Sequence, residues 1–147
     1  MTLGVQIDYP GSCEAAFRLY EQCLGGQITL MLPYGASPAA AEHPDLADKI
    51  IHATLVLGET TLAGVDVPPA QYKPPQGFTL LLNVDRGEDA RRIFAILSEA
   101  GKVLVPLQPT FWAELYAVLT DRFGTPWKIN CSRINGNRQA NTPETNN

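Results

Sequence analysis

The sequence predicts an α+β fold of two βαβββ modules, and three observations carry that prediction. Its 147 residues suit one sizeable core or two small, closely packed modules, not two independent domains. The apolar pattern reads strand, helix, strand, strand, strand, and then does so again. The helix stops at Gly25 and Gly101 lie 76 positions apart, and each is followed by a short strand ending at a proline, Pro33 or Pro106. A repeat of this size implies two similar units, neither of which buries its apolar face alone.

Each element has a local reason. Residues 3 to 9 alternate, with Leu3, Val5 and Ile7 on one face, as in a half-buried strand ended by Pro10-Gly11. Ser12 is a candidate N-cap; Ala16, Phe17, Tyr20, Cys23 and Leu24 follow at helical spacing before Gly25-Gly26. Gln27 to Leu32 reads as a strand, and Pro33 to Asp48 as a long loop in which Tyr34 is a candidate lid residue. Lys49 to Leu57 and Thr60 to Val65 form a hairpin turning at Gly58-Glu59. Pro68, Pro69, Pro74 and Pro75 then make residues 67 to 77 a stiff linker.

The order restarts with a strand from Phe78 to Val84 and a capping box, Asp85-x-x-Glu88. Ala90, Ile93, Phe94 and Leu97 supply one helix face, and Gly101 the stop. Strands Lys102 to Leu107, Glu114 to Thr120 and Trp127 to Cys131 complete the second unit. The domain is thus residues 1 to 131, with module one at 3 to 66 and module two at 78 to 131; 132 to 147, Asn-rich and polar, reads as a disordered tail.

Composition narrows the function classes. A net charge of -4, from 11 basic and 15 acidic residues, gives no basic stripe for nucleic acid. No apolar run approaches the roughly 18 residues that span a bilayer, and the first ten residues carry no export signal, so the expectation is a cytoplasmic protein without membrane contact. Three cysteines without a C-x-x-C make no disulfide framework; on one helix Cys13 and Cys23 stand ~15 Å apart, too far to bridge. Twelve Gly and twelve Pro against two His indicate many turns and few residues for acid–base or metal work.

Particular residues carry competing readings. His52, in the apolar strand Ile50 to Leu57, is either a ligand-contacting base or a histidine held by one hydrogen bond. Cys13 lies in the first turn of a helix, where amides lower a thiol pKa, but no base accompanies it, and a small wedge under the helix is the alternative. Glu114 and Tyr116 alternate onto one strand face, with Trp112 beside them; that face lines a binding site or meets water. Asp121 and Gly124 make a turn with Trp127 packed behind it, and Lys128 either attracts an anionic ligand or is a surface lysine. There is no phosphate loop, no dinucleotide fingerprint and no H-E-x-x-H.

Several segments in order carry a family resemblance: Gly11-Ser-Cys-Glu-Ala-Ala-Phe17, Asp48-Lys-Ile-Ile-His-Ala53, Pro74-Pro-Gln-Gly-Phe78, Phe111-Trp112, Asp121-Arg-Phe-Gly124 and Trp127-Lys-Ile-Asn130. Together with the duplicated module, they resemble the PhnB-like branch of the vicinal oxygen chelate superfamily, which includes glyoxalases, bleomycin-resistance proteins and extradiol dioxygenases. The resemblance implies modules paired into a curved, cup-shaped mixed sheet, often in a homodimer, with a small-molecule site in the cup. Metal-dependent members carry ligands at positions matching Gly4 or Val5, Ala63 or Gly64, Phe78 and Lys128, or Gln6 with a one-residue slip. Those residues, Gln6 apart, are poor metal ligands.

The expectation is therefore a small-molecule binder without metal or other cofactor. Its ligand-binding residues would be His52, Trp112, Glu114, Tyr116 and Lys128, with no catalytic residue assigned. A metal-dependent lyase or dioxygenase using His52 and Glu114, and a structural homodimer with a filled cup, are the alternatives.

Overall fold

The computed structural model describes residues 1 to 133. The elements follow in the expected order: β1 (Val5–Tyr9), α1 (Cys13–Leu24), β2 (Gln27–Pro33), β3 (Ile50–Leu57), β4 (Thr60–Asp66), β5 (Leu80–Val84), α2 (Gly87–Ser98), β6 (Lys102–Gln108), β7 (Ala113–Thr120) and β8 (Pro126–Ser132). Each module makes its own four-stranded mixed sheet, ordered β1-β4-β3-β2 and β5-β8-β7-β6. The outer pairs β1/β4 and β5/β8 are parallel and the rest antiparallel, so the duplication read from the glycine and proline spacing is a duplication of topology.

One helix covers one face of each sheet. In α1, Cys13, Ala16, Phe17, Tyr20 and Cys23 are buried, and in α2 Ala90, Ile93 and Leu97, each set at the three-to-four-residue spacing of a helix stripe. Opposite them the strands alternate: Ile7 and Tyr9, Ala53 and Leu55, Leu115, Ala117 and Leu119, and Trp127, Ile129 and Cys131 point into one continuous apolar cluster spanning both modules. Gly64 lets α1 approach; a Cβ there would lie 2.7 Å from the Phe17 ring and 2.8 Å from the Cys13 sulfur.

Two buried aspartates organise this core. Asp66, at the end of β4, accepts from the amides of Gly11 and Cys13 on Oδ1, both at 3.0 Å, and from Ile50 N on Oδ2 at 2.9 Å. It thereby caps the start of α1 and ties β1, β3 and β4 together. Asp121 joins the modules: Oδ2 accepts from the Tyr20 hydroxyl of α1 and from Trp127 Nε1 at 2.9 Å, while Oδ1 accepts from the amides of Phe123 and Thr125. Tyr9 and Tyr20 also reach the Thr125 hydroxyl, at 3.3 and 2.8 Å. Arg92 of α2 adds a bond to the Cys23 carbonyl at the end of α1.

Several local expectations are corrected. The first strand begins at Val5 and the fifth at Leu80, leaving Leu3 and Phe78 exposed ahead of them. Ser12 makes no side-chain cap bond; Asp66 instead takes the amides on either side of it, Gly11 and Cys13, from across the fold. The capping box at Asp85 and Glu88 does not form; Arg86 holds the cap position with extended backbone, and its guanidinium pairs with Glu88. Gly25 takes the left-handed cap conformation at φ 75°, but after α2 Ala100 takes it, at φ 55°. Gly101 is needed for space instead, since a Cβ would stand 2.5 Å from the Thr120 carbonyl oxygen.

The long loop contains two short 3-10 turns, Tyr34–Ala36 and Pro44–Leu46, and the linker a third, Pro69–Gln71. Tyr34 is no lid: it is buried, and its hydroxyl donates to the Asp66 carbonyl at 2.7 Å. Of the expected tail, Ser132 closes β8 and Arg133 donates to the Thr110 carbonyl; the remainder lies outside the described residues.

The three bonds on Asp66 set a graded prediction. Asp66→Asn, which keeps one acceptor oxygen, should lower stability by about 2 kcal/mol, and Asp66→Ala, which strands all three amides, by about 4 kcal/mol. Urea denaturation followed by circular dichroism measures both, and equal losses would show that the amides find other partners.

Candidate functional site

Strand alternation leaves a second face on each sheet that no helix covers. On the first sheet it carries Gln6 and Asp8, His52 and Thr54, and Ala63 and Val65, paired in register as Gln6 with Ala63 and Asp8 with Val65. On the second sheet two cross-strand rows lie side by side. One runs from Leu81 through Lys128 to Val118, the other from Asn83 through Asn130 and Tyr116 to Gln108. Neighbours in a row stand about 5 Å apart at Cβ.

The five residues expected to bind ligand divide accordingly. Lys128 and Tyr116 share the helix-free face of the second sheet, and Trp112, in the turn before β7, packs edge-to-face on the Tyr116 ring at 5.1 Å. His52 is exposed on β3 of the first sheet, opposite Leu32, with no contact to that group. Glu114 departs from the simple alternation with Tyr116, because the ladder shifts register between Ala113 and Leu115. Its carboxylate lies at the start of α2, where Oε1 would be 3.0 Å from a Cβ on Gly87, in a shallow cleft with Arg86 and Arg91.

The donor set does not fit a superfamily metal centre. Val5 packs against the core and Gly64 lies under Phe17, so neither offers a ligand to the helix-free face. Gln6 does reach that face, beside Ala63, while Lys128 holds the position on β8. One carboxamide and an ammonium do not assemble a cation site. His52 and Glu114 are on different sheets, and among the described residues no three His, Cys, Asp or Glu side chains converge.

Covalent chemistry at Cys13 is also unsupported. The thiol is fully buried, and desolvation, then the charges of Asp66 and Glu14, push its pKa up from 9.0 to about 12. Cys23 and Cys131 are buried and shifted upward by desolvation as well. Asn83 and Asn130 were not singled out in the sequence. Their carboxamides meet at 3.2 Å, yet Asn130 Oδ1 is buried without a donor. Only the i, i+2 spacing from Lys128 hinted that Asn130 shares its face.

Further clefts flank the sheets. One of about 460 Å³ runs along the free edge of β5, among Val5, Leu62, Leu80 and Trp127, and reaches Leu81 and Asn83 at the border of the helix-free face. The other, about 330 Å³, opens among Pro10, His43, Lys49 and Pro68.

Duplicated βαβββ topology and matching sequence coincide over nearly the whole described chain: the profile of the Glyoxalase/Bleomycin resistance protein/Dioxygenase superfamily matches residues 9–129. The chain belongs to this superfamily. It is 30% identical over 141 residues to Protein YjdN of Escherichia coli K12, covering 88% of this chain and 95% of that one. Among solved structures, protein PA1353 from Pseudomonas aeruginosa is 43% identical with a TM-score of 0.83, covering 90% of this chain and 98% of its own. The PhnB protein from Bacillus cereus, at 19% identity and a TM-score of 0.79, shares the fold over 90% of this chain and 100% of its own. The match accords with the superfamily resemblance read from the sequence, and the PhnB protein shares its fold. No helix among the described residues is long and apolar enough to cross a membrane.

The Cys13 environment predicts alkaline sensitivity. Because the folded thiol ionises near 12 and the unfolded one near 9, its share of stability is complete below pH 9 and is lost as pH rises to 12. Thermal melts from pH 8 to 11 should show a falling Tm. A thiol reagent at pH 8 should leave the native protein unlabelled and find three thiols after denaturation; rapid native labelling would contradict the buried placement.

Proposed function

We propose that this protein binds a small molecule on the helix-free sheet faces without using a metal, and that a second copy of the chain closes those faces into cups. The supporting observation is that each sheet has only one helix-covered face. The uncovered faces still carry large apolar groups: Leu30 is 40% exposed, Leu81 56% and Trp112 49%. Sheets are stable when both faces are covered or one is polar enough for water, and these faces mix apolar, aromatic and carboxamide groups as binding sites do. A twofold copy, placing one chain's first sheet against the other's second, would bring His52 opposite the Lys128 and Tyr116 group. Glu114, at the mouth of α2, would then border the cup.

The superfamily houses several chemistries on one scaffold, so the fold names no reaction. What supports binding over metal-assisted lyase or dioxygenase chemistry is the donor set itself, with Lys128 where a ligand would stand and Cys13 sealed in the core. A filled-cup structural dimer is the competing reading, and ligand response separates the two.

Sedimentation at micromolar concentration should give a dimer, and Leu81→Glu, which puts a charge on the uncovered face, should give folded monomer. Protein purified without chelator should hold far less than one divalent metal per chain by elemental analysis; stoichiometric metal would overturn the metal-free reading. A thermal-shift screen of small metabolites and hydrophobic drugs should find stabilising ligands, a thousandfold excess over Kd being worth about 4 kcal/mol, whereas a wholly silent screen would favour the structural dimer.

A further inference from the structure

We propose that the ligand of the second sheet is an aromatic monocarboxylate, its acid group on Lys128 and its ring against Tyr116 and Trp112. This rests on the binding reading above and adds the chemistry of the ligand. Lys128 lies on β8, a central strand, and is the one cation on the two central strands of that sheet, flanked in its row by Leu81 and Val118. Among the described residues no carboxylate pairs with it. An ammonium between two aliphatic neighbours is matched by one negative charge, and such a site repels a cation.

The adjacent row defines the rest of the ligand. Tyr116 meets the Trp112 ring edge-to-face at an interplanar angle of 73° and Phe111 meets it at 80°, yet Trp112 stays half-exposed, with ring surface left for a further planar ring. Between ammonium and aromatics lies Asn130, two residues along β8 from Lys128 and directly opposite Tyr116. Its Oδ1 is buried and receives no hydrogen bond, while its Nδ2 donates to Asn83 Oδ1. A hydroxyl carried on the ligand's ring would meet this oxygen on outward rotation of the carboxamide, and a buried acceptor left unmet costs about 1–3 kcal/mol. A phosphoryl group fits less well: it carries more charge, and it is recognised by several cationic or amide donors where this strand pair has one lysine.

Titration calorimetry on the full chain can separate the parts, with 3-hydroxybenzoate as probe and 3-hydroxybenzamide as its uncharged counterpart. The acid should bind at least tenfold more tightly than the amide. Lys128→Met should remove that difference while leaving the melting transition in place, and Lys128→Arg, which keeps the charge, should retain it. Acid and amide binding equally, or a preference that survives in Lys128→Met, would overturn the carboxylate assignment while leaving small-molecule binding intact. No heat with either probe would overturn the assignment too, and a silent ligand screen alongside it would extend the failure to the binding reading itself.

Discussion

The Asp121 carboxylate sits where the two halves of the chain meet, nearly out of reach of water, and its four donors come from three parts of the fold. Two are amides of its own turn, one is the indole of Trp127 in β8, and one is the Tyr20 hydroxyl on the helix of the other module. A carboxylate removed from water is tolerated only when its oxygens are met by donors. Full satisfaction of Asp121 therefore requires both modules to be folded and correctly docked. The shared apolar cluster gains from the same docking, but only the hydrogen bonds demand one particular arrangement of α1 against the β7–β8 turn.

Docking the modules through their helix-covered sides has a consequence for function. The apolar face of each helix and the inner face of each sheet are consumed in one core, so the opposite sheet faces are left as the surfaces available for recognition. Duplication makes two such faces that are alike in backbone and different in side chains. The first carries His52, Asp8 and Gln6; the second carries Lys128, two asparagines and an aromatic pair. Where a superfamily metal would draw donors from both, the chain offers Lys128 and, Gln6 apart, side chains that do not ligate, which supports the proposed reading of charge matching and ring contact.

Much of the architecture was legible because local rules agreed with one another. Helix α1 stops at Gly25 as its sequence suggested, with that glycine in the left-handed conformation, and the Gly58 turn sits between β3 and β4 as read. Local rules failed where a distant group did the same work better. Asp66, far along the chain from Ser12, caps α1, and Arg86 with extended backbone displaces the apparent capping box of α2. Of the candidate site, Lys128 and Tyr116 share one face because strict alternation holds there. Glu114 sits beside a register shift and its carboxylate reaches the start of α2, and a bulge leaves no mark in composition.

The sequence by itself determined the number of modules, the order of elements, the residues that fill the core and the poverty of metal ligands, since each of these depends on spacing and on side-chain chemistry along a short stretch. Only the tertiary structure decided that the two sheets remain separate, that Tyr34 and Cys13 are sealed inside, that Asp66 and Asp121 are the polar centres of the core, and that Asn130 presents an unmet acceptor beside Lys128. The reason is one of range. Periodicity reports which face of an element is apolar, whereas the partner of a buried polar group is chosen by contacts between residues as much as 101 positions apart, as Tyr20 and Asp121 are, and no local pattern records that choice.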